Sequence, residues 1–232
     1  MIDMDLLEKL KKYDTPTICN ALEIVDPARR LNGFTVKPLV CPFPQLPAII
    51  GYAKTATIRT AHAHELDGKA QRAQRIAYYE YIADKPAPGI VVIQDLDGAD
   101  VGFGAFWGEV MSAVHKGLGL LGCVTDGSIR DIDQWAPGFQ ALAGSIVPSH
   151  AHVHLADFGK EVRVAGMLVR SGDLVHMDRH GAVTIPVGLA GKIPAACDLL
   201  ARKEAVILEM ARAPGFNVAR LREALAKQDE IH

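Results

Sequence analysis

The chain has 232 residues, of which 49% are hydrophobic and 22% are charged, and its formal net charge is −2. These proportions are typical of a globular protein that is long enough to bury one well-packed core. The near-neutral charge, without clustered Lys and Arg, argues against nucleic acid or an anionic membrane surface as a partner.

The cysteines and the N-terminal residues predict a cytoplasmic protein. Cys19, Cys41, Cys123 and Cys197 are scattered without a C-x-x-C pair, so reduced thiols are expected rather than disulfides. The N-terminal segment 1–12 carries too many charges for a signal sequence. No uninterrupted apolar run approaches the roughly 20 residues of a membrane helix.

The first quarter of the chain predicts two helices, an irregular segment and a strand. Leucines recur at helical spacing near the N-terminus, and Thr15 before Pro16 is a favourable cap and first position for a second helix. A proline-rich stretch follows, with at most one strand at residues 34–36. The predicted bounds are 2–12 and 15–24 for the helices, 26–47 for the irregular segment and 49–60 for the strand.

A third helix and a buried strand come next, at residues 65–82 and 89–95. His62, His64 and Glu65 stand at the start of this helix. A helical zinc motif needs two histidines four residues apart, and this order does not provide them. A loop or helix-entry position is therefore the preferred interpretation of these three residues.

The stretch 107–135 organises the rest of the chain. Apolar residues recur at helical spacing in its first half, and the apolar run 121–124 then predicts a short strand that ends in a Thr-Asp-Gly-Ser turn. A helix of about eleven residues covers roughly 16 Å, and a strand of five or six residues returns about as far. The following loop should therefore bring Arg130 and Asp131 back to Glu109 at the helix start.

The same stretch contains G-x-G-x-x-G at residues 117–122, which matches the letters of a dinucleotide-binding fingerprint. That fingerprint follows a strand and opens a helix, whereas here a helix precedes it and a strand follows. We interpret it as a helix stop and a turn. Neither a nicotinamide site nor an S-adenosylmethionine site is predicted from it.

Two carboxylates and a guanidinium would meet beside the helix start. Paired carboxylates suit a hard cation such as Mg²⁺, which binds one or two of them and keeps exchangeable waters. Arg130 suits a planar oxyanion. Free N–H groups of the first turn could hold a substrate carboxylate: those of Gly108, Glu109, Val110 and Met111. The alternative is that Arg130 and Asp131 form a surface ion pair and that Glu109 only complements the helix dipole.

The remainder of the chain predicts an antiparallel or mixed sheet followed by helices. His150, His152 and His154 alternate, so they would share one face of a strand. Three histidines could bind zinc, but an exposed or interface face with ordinary histidines is preferred. The predicted strands are 139–143, 146–155, 162–169, 174–177 and 183–185, and the predicted helices are 192–212 and 217–227.

The residues around Glu109, Arg130 and Asp131 resemble the signature of class II pyruvate aldolases related to 4-hydroxy-4-methyl-2-oxoglutarate aldolase, a family shared with the regulator of ribonuclease activity A. In that family an acidic residue, twenty others and then Arg-Asp frame the site. The aldolases carry Asp where this chain has Glu109. The likeness extends to further segments, at 14–23, 91–95 and 171–186.

The resemblance implies an α/β fold: a single domain with a central mixed β-sheet, a swivelling β/β/α-type core, assembled as a homotrimer or homohexamer. The domain would span residues 1–232, with helical arms at 1–25 and 190–232. A glutamate on the C-terminal arm of the neighbouring subunit would complete the site, and Glu204 is preferred over Glu209.

The implied function is that of a divalent-metal-dependent lyase. It would cleave a 4-hydroxy-2-oxo acid by a retro-aldol reaction, or decarboxylate oxaloacetate, to give pyruvate. Asp131 would bind Mg²⁺ or Mn²⁺, Glu109 would act on the metal through a water molecule, and Arg130 with the backbone of 108–111 would hold the 2-oxo acid. The main alternative is a non-catalytic regulatory binding protein of the ribonuclease-regulator type. A third hypothesis is a methyltransferase that acts on a menaquinone precursor, but the sequence has no suitably placed glycine loop to support it.

Overall fold

One long strand lies at the centre of the fold. In the computed structural model, which describes residues 2–231, β1 (Ile49–Arg59) pairs parallel with β2 (Gly89–Asp95). The two halves of its other edge pair antiparallel with β11 (Leu174–Asp178) and with β8 (His154–Phe158). The order across this seven-stranded sheet is β12-β11-β1-β2-β4-β6, with β8 paired to β1. The other members are β4 (Leu120–Thr125), β6 (Gln140–Leu142) and β12 (Gly181–Ile185).

The parallel strands of this sheet are buried on both faces. β2, β4 and β6 run parallel to β1 or to each other, and a strand that is buried on both faces needs apolar residues throughout. This requirement explains the unbroken I-V-V-I run of β2. Val91 and Ile93 belong to one core, and Ile90 and Val92 belong to the core on the opposite face.

Two smaller sheets flank the central one. Three short parallel strands pair in the order β3-β5-β7, and a hairpin of two antiparallel strands contributes to the core on the second face of β2. The strands are β3 (Ala105–Trp107), β5 (Ser128–Ile129), β7 (Ser145–Ile146), β9 (Val162–Val164) and β10 (Met167–Val169).

Helices cover the sheet and extend from both ends of the chain. α1, α2 and α5 pack together over β11 and β12, and α6 packs on α5. α3 and α4 lie over the core that contains Tyr78 and Trp107, both of which are fully buried. The helices are α1 (Met4–Leu10), α2 (Thr15–Val25), α3 (Gly68–Ala83), α4 (Glu109–Gly117), α5 (Ile193–Arg212) and α6 (Val218–Asp229).

Polar side chains cap the start of α2 and attach this helix to the sheet. Asp14, rather than Thr15 as predicted, is the N-cap residue, and its Oδ1 accepts from the Thr17 N–H at 2.9 Å. Thr15 is the first helical residue, and its own N–H donates to Asp178 Oδ2 at 2.9 Å. This bond ties the helix to the end of β11.

The predicted fold class is confirmed, since the structure is an α/β domain with a central mixed sheet and helices at both ends. The arm boundaries at residues 25 and 190 stay a prediction, and the outermost residues of that division, Met1 and His232, lie outside the described residues. No helix among residues 2–231 is long and apolar enough to cross a membrane.

Two predicted strands are wrong. The run 146–155 is divided between β7 and β8, because Pro148 cannot continue a hydrogen-bonded ladder and Ala151 adopts a left-handed conformation with φ 46°. The run 162–169 is the β9–β10 hairpin, which turns at Ala165 and Gly166, where φ is 47° and 89°. Glycine tolerates such positive φ values without strain.

Candidate active site

The carboxyl ends of β3 and β5 place the predicted site residues together. Because these strands are parallel, Gly108 after β3 and Arg130 after β5 emerge at the same edge of their sheet. The Arg130 N–H donates to the Trp107 carbonyl at 2.9 Å, which fixes the loop after β5. The structure therefore brings Arg130 and Asp131 to the start of α4, where Glu109 lies.

Asp131 lies directly against the N-terminus of α4. Its Oδ2 accepts from the Glu109 N–H at 3.4 Å, and the positive end of the helix dipole favours negative charge at this position. The backbone of Asp131 is left-handed, with φ 54°, a conformation that Asp tolerates better than most residues. Its side chain is 31% exposed, so the carboxylate is accessible to a ligand.

Arg130 connects this carboxylate to two cavities. Its Nη1 lies 3.4 Å from Asp131 Oδ1, a long contact that leaves the other guanidinium N–H groups for a ligand. On one side Arg130 lines an open cavity with Asp131 and Ile146. On the other side it lines a more enclosed cavity with Met111. A simple surface ion pair accounts for the Asp131 contact but not for this position between two cavities.

The first turn of α4 offers further groups to a ligand. Glu109 is exposed and supplies the acidic residue of that turn. Val110 is 69% exposed, while Met111 is partly buried and reaches the enclosed cavity. The N–H groups in the first turn of a helix have no intrahelical acceptor, so they suit an anionic ligand.

A buried network holds α4 beneath the site. His115 Nδ1 faces the Met111 carbonyl at 2.7 Å and therefore carries the ring proton, while Nε2 accepts from the Tyr78 hydroxyl at 2.8 Å. Burial lowers the pKa of His115 to about 4, so the ring is neutral at pH 7, as these two bonds require. The Trp107 ring packs against it, with ring centroids 4.5 Å apart.

Two acidic side chains, the buried Asp95 and the partly buried Asp126, support the loops that lead into the site. Asp126 Oδ1 accepts from the Asp95 N–H at 2.8 Å, and Asp95 Oδ2 accepts from the Gly102 N–H at 2.9 Å. Burial raises the pKa of Asp126 to about 6 and also raises that of Asp95. Because both carboxyl groups already bind backbone N–H groups, we assign them to holding the loops after β2 and β4.

The enclosed cavity has a volume of about 300 Å³, which is within the range of small-molecule sites. One wall is apolar and aromatic, and the rest is polar. The sequence pattern did not predict this cavity, because its lining comes from four segments that are far apart in the chain. Its polar lining consists of His64, Gln71, Gln74, Arg75, Arg130, His150 and His154.

The three alternating histidines do not share one strand, contrary to the prediction. The Val153 N–H donates to the His150 carbonyl at 3.0 Å, so this segment is a turn, and β8 begins only at His154. His150 and His154 nevertheless line the same cavity as His64. Within residues 2–231, no group of three or more His, Cys, Asp or Glu side chains is arranged to hold a metal. The zinc interpretation therefore has no geometric support in that range.

The two glutamates predicted to reach the site from a neighbouring subunit lie on α5. Glu204 and Glu209 are both exposed, and α5 packs mainly against α2 and α6. A role for either residue beside Asp131 would therefore require a second copy of the chain, and it stays a prediction.

The residues around Asp131 fit a hard divalent cation. Asp131 is accessible, and its two hydrogen-bond contacts, to Arg130 Nη1 and to the Glu109 N–H, are both 3.4 Å long, so its oxygens keep lone pairs for a metal. Mg²⁺ or Mn²⁺ needs only one or two protein carboxylates, because water and substrate oxygens complete its shell. Asp131 would hold the cation, with Glu109 as the neighbouring acid.

Known proteins resemble this chain in sequence. The RraA-like family, described as Aldolase/RraA, matches residues 15–184. A protein from Marinomonas sp. (strain MWYL1) is 32% identical over 114 residues, which are 48% of this chain and 68% of that protein. A protein from Halalkalibacterium halodurans is 27% identical over 188 residues, 80% of this chain and 79% of its own. Both are named "Putative 4-hydroxy-4-methyl-2-oxoglutarate aldolase".

Solved structures resemble it in fold. RraAS2 of Streptomyces coelicolor, described as an unusual member of the RNase ES inhibitor RraA protein family, has a TM-score of 0.68 at 22% identity, covering 88% of this chain and 95% of that one. An uncharacterised protein of Pseudomonas syringae pv. tomato has a TM-score of 0.70 at 19% identity, covering 96% and 98%. At these identities the likeness establishes the fold alone.

Proposed function

Because the chain belongs to the RraA-like (Aldolase/RraA) family, we propose that it is a divalent-metal-dependent lyase that breaks the C3–C4 bond of a 4-hydroxy-2-oxo acid and releases pyruvate. Oxaloacetate would lose carbon dioxide by cleavage of the corresponding bond. The observation that carries this proposal is the meeting of Asp131, Arg130 and the first turn of α4 at one sheet edge. The names of the relatives from Marinomonas and Halalkalibacterium agree with it.

Each group at this site would bind a different part of the substrate. The N–H groups of Val110 and Met111 would bind the substrate carboxylate, as helix N-termini bind anions in general. The Arg130 guanidinium would donate to the 2-keto oxygen, where negative charge develops as the C3–C4 bond breaks. A Mg²⁺ or Mn²⁺ ion held by Asp131 would supply Lewis-acid stabilisation of the same charge.

Glu109 supplies the proton transfers in this scheme. The C4 hydroxyl must lose its proton as the C3–C4 bond breaks, and C3 must gain one to give pyruvate. Glu109 is an exposed carboxylate at the start of the same helix, so it would accept the first proton, directly or through solvent, and return one to C3. The family's aldolases carry the shorter Asp here, and the longer side chain reaches further from the helix.

A second copy of the chain would complete the site. Val110 and Ile146 are 69% and 52% exposed, and they leave apolar surface beside Asp131 that a neighbouring subunit would cover. A homotrimer or homohexamer would also allow α5 of the neighbour to bring Glu204 or Glu209 to the metal. Light scattering after size-exclusion chromatography measures the assembly, and a monomer with full activity would contradict this part of the proposal.

A coupled assay tests the proposed reaction. Pyruvate release would be followed with lactate dehydrogenase across a panel of 4-hydroxy-2-oxo acids and oxaloacetate, with Mg²⁺, with Mn²⁺ and with chelator. We expect release that depends on the metal and is lost on chelation. Release of no pyruvate from any member would overturn the proposal and favour the alternative, a non-catalytic regulator like the RNase inhibitors of the same fold.

A further inference from the structure

The enclosed cavity beside Arg130 has the composition of a second binding site rather than of a packing defect. Tyr78, Phe106 and Leu155 give it an apolar side, and Arg75, Gln74 and the imidazoles give it a polar one. Among the described residues that line it, none carries a carboxylate. Cavities that form by imperfect packing are apolar, whereas this one combines an apolar surface with convergent donors, as ligand sites do.

The cavity borders the proposed reaction site. Arg130 and Met111 line it, and the same two residues would hold the keto oxygen and the carboxylate of the 2-oxo acid. A substrate bound at Arg130 has one part that is not fixed by Asp131, Arg130 or α4, namely the substituent on C4. That substituent would therefore extend into the enclosed cavity.

Two histidines in tilted ring contact line the cavity together. The His64 and His154 rings have centroids 4.3 Å apart. His64 Nδ1 accepts from the Leu66 N–H at 2.9 Å, so Nε2 carries the ring proton and faces Gln74 Oε1 at 3.4 Å. The His154 ring is held from the other side, because its Nδ1 donates to the His152 carbonyl at 2.8 Å.

A second space of about 620 Å³ adjoins this cavity, and His64, Gln74, His154 and Leu155 line both. These four residues thus lie between the two spaces. The contacts between their polar side chains are the His64–His154 ring contact and the 3.4 Å contact between His64 Nε2 and Gln74 Oε1. Removal of the His64 ring would lengthen the enclosed cavity toward the second space without changing Arg130 or Asp131.

We propose that the enclosed cavity is a distal subsite that receives the C4 substituent of the substrate, and that the His64–His154 pair is its end wall and sets the greatest length of that substituent. The substituent has an apolar stem and an anionic end, since the cavity has an apolar side, several donors and no lining carboxylate in the described chain. The assignment rests on the proposed function, because it places the 2-oxo acid at Arg130.

Unreactive 2-oxo acids test the subsite without turnover. Pyruvate, 2-oxoglutarate, 2-oxoadipate and 2-oxopimelate share the 2-oxo acid end; pyruvate ends in a methyl group, and the other three end in a second carboxylate on a chain of increasing length. Calorimetric titration with Mg²⁺ present should show an affinity optimum at one length in the native protein, with a loss of about tenfold for the first methylene beyond it. In His64→Ala the optimum should move to a longer acid. Oxalate, which reaches only Asp131 and Arg130, should bind both proteins equally and so report that the site is intact.

His62→Ala is the matched control. His62 is exposed and belongs to the same segment, but it lines only the outer space, so this variant should keep the native optimum. The subsite would be overturned if His64→Ala kept the native length optimum. It would also be overturned if the native protein bound oxalate but bound 2-oxo acids of every length equally well. Either result would leave the proposed function standing. Binding of the long acids without any binding of oxalate would instead overturn the proposed function.

Discussion

A Cβ atom on Gly108 would lie 2.5 Å from Oδ2 of Asp131, which is closer than real Cβ contacts come. The backbone of Gly108 is extended, with φ −165°, so any residue could adopt its conformation. The glycine is therefore required by the approach of the Asp131 carboxylate to the start of α4 and not by the backbone torsion. This contact couples the helix N-terminus to the proposed metal ligand.

Gly108→Ala should consequently impair the site more than the fold. The added methyl group must push either the carboxylate or the first turn of α4 aside, and a displacement of about 1 Å in a catalytic geometry can cost roughly a hundredfold in rate. We expect kcat for pyruvate release to fall by about that factor while circular dichroism stays native. The Mg²⁺ affinity, measured by calorimetry, should weaken as well.

Gly117→Ala is the control at the other end of the same helix. A Cβ there would meet nothing within 4 Å, and Ala is preferred to Gly inside a helix by about 0.5–1 kcal/mol. This variant should keep its activity and melt at the same or a slightly higher temperature. Equal loss of activity in both variants would show that α4 tolerates no change, and would remove the special role of the Gly108–Asp131 contact.

Asp131→Asn tests the metal ligand with little disturbance of the backbone. Asp131 has a positive φ of 54°, which Asn adopts with less strain than Ala does, so Asn separates the loss of charge from backbone strain. We expect the metal-stimulated rate to fall by about a hundredfold or more, because the cation loses its anionic ligand. Asp133→Asn, two residues along and exposed, should retain the native rate. Full activity of Asp131→Asn in the presence of chelator would exclude the metal mechanism.

The sequence predicted this part of the molecule well because its geometry is local. One helix and one strand of known rise per residue fix where Arg130 and Asp131 return, and the structure places both at the start of α4. The helix stop at Gly117 and Gly119 was predictable for a similar reason, since α4 precedes it and β4 follows.

The enclosed cavity was not predictable in this way. His64, Tyr78, Arg130 and His154 come together only because β8 pairs with the second half of β1 and α3 packs over β8. Hydrophobic periodicity reports which face of an element is buried, but it does not report which distant element covers that face. The alternation of three histidines was even misleading, because a single left-handed residue, Ala151, takes the chain out of the strand.

Glu109 is expected to act in proton transfer rather than in metal binding. Glu109→Gln keeps the backbone N–H that contacts Asp131 and removes only the carboxylate, so it should lower kcat by about a hundredfold and change the Mn²⁺ affinity much less. Glu109→Asp keeps a carboxylate and should retain more of the rate than the amide variant. Calorimetric titration with Mn²⁺ compares the metal affinity of Glu109→Gln with that of Asp131→Asn. If Glu109→Gln lost as much Mn²⁺ affinity as Asp131→Asn, Glu109 would be a direct metal ligand.

His115 makes the fold sensitive to acid. Burial lowers its pKa from 6.5 to about 4 in the folded protein, so between these values the unfolded chain binds the proton more readily. The stabilising contribution is therefore complete above pH 6.5 and is lost as the pH falls toward 4. By linkage, one such histidine costs roughly 2 kcal/mol of unfolding free energy between pH 7 and pH 5.

Urea unfolding at several pH values measures this contribution as a difference between proteins. His115→Gln should start less stable at pH 7, because it disturbs the bonds to Tyr78 and Met111, but it should lose less stability on acidification than the native protein. Asp126 opposes this loss of stability on acidification, since burial raises its pKa to about 6. Its effect is present in both proteins, so the difference between their pH profiles does not contain it. The exposed His62→Gln should follow the native pH profile. Parallel profiles for native protein and His115→Gln would refute the assignment.

Arg130 distinguishes a 2-oxo acid enzyme from a protein with an acidic metal patch. Its guanidinium lies between the Asp131 carboxylate and the enclosed cavity, where a planar fork can contact a keto oxygen and a carboxylate together. Arg130→Lys keeps the charge but replaces the fork with a compact ammonium group, and this exchange is not conservative at such a site.

The interaction of Arg130 with the keto oxygen should tighten as negative charge develops, so Arg130→Lys should lower kcat more than it raises KM. A donor of this kind contributes about 2–4 kcal/mol in the transition state, or roughly a hundredfold or more in rate. Oxalate, which mimics the charge-bearing end of the reacting substrate, should inhibit the native protein far more strongly than the lysine variant. Arg72→Lys, an exposed change on α3 outside the cavity lining, should leave both kcat and oxalate inhibition unchanged. If oxalate inhibits native protein and Arg130→Lys equally, the guanidinium does not contact the 2-oxo acid, and the aldolase proposal loses the residue on which its charge stabilisation depends.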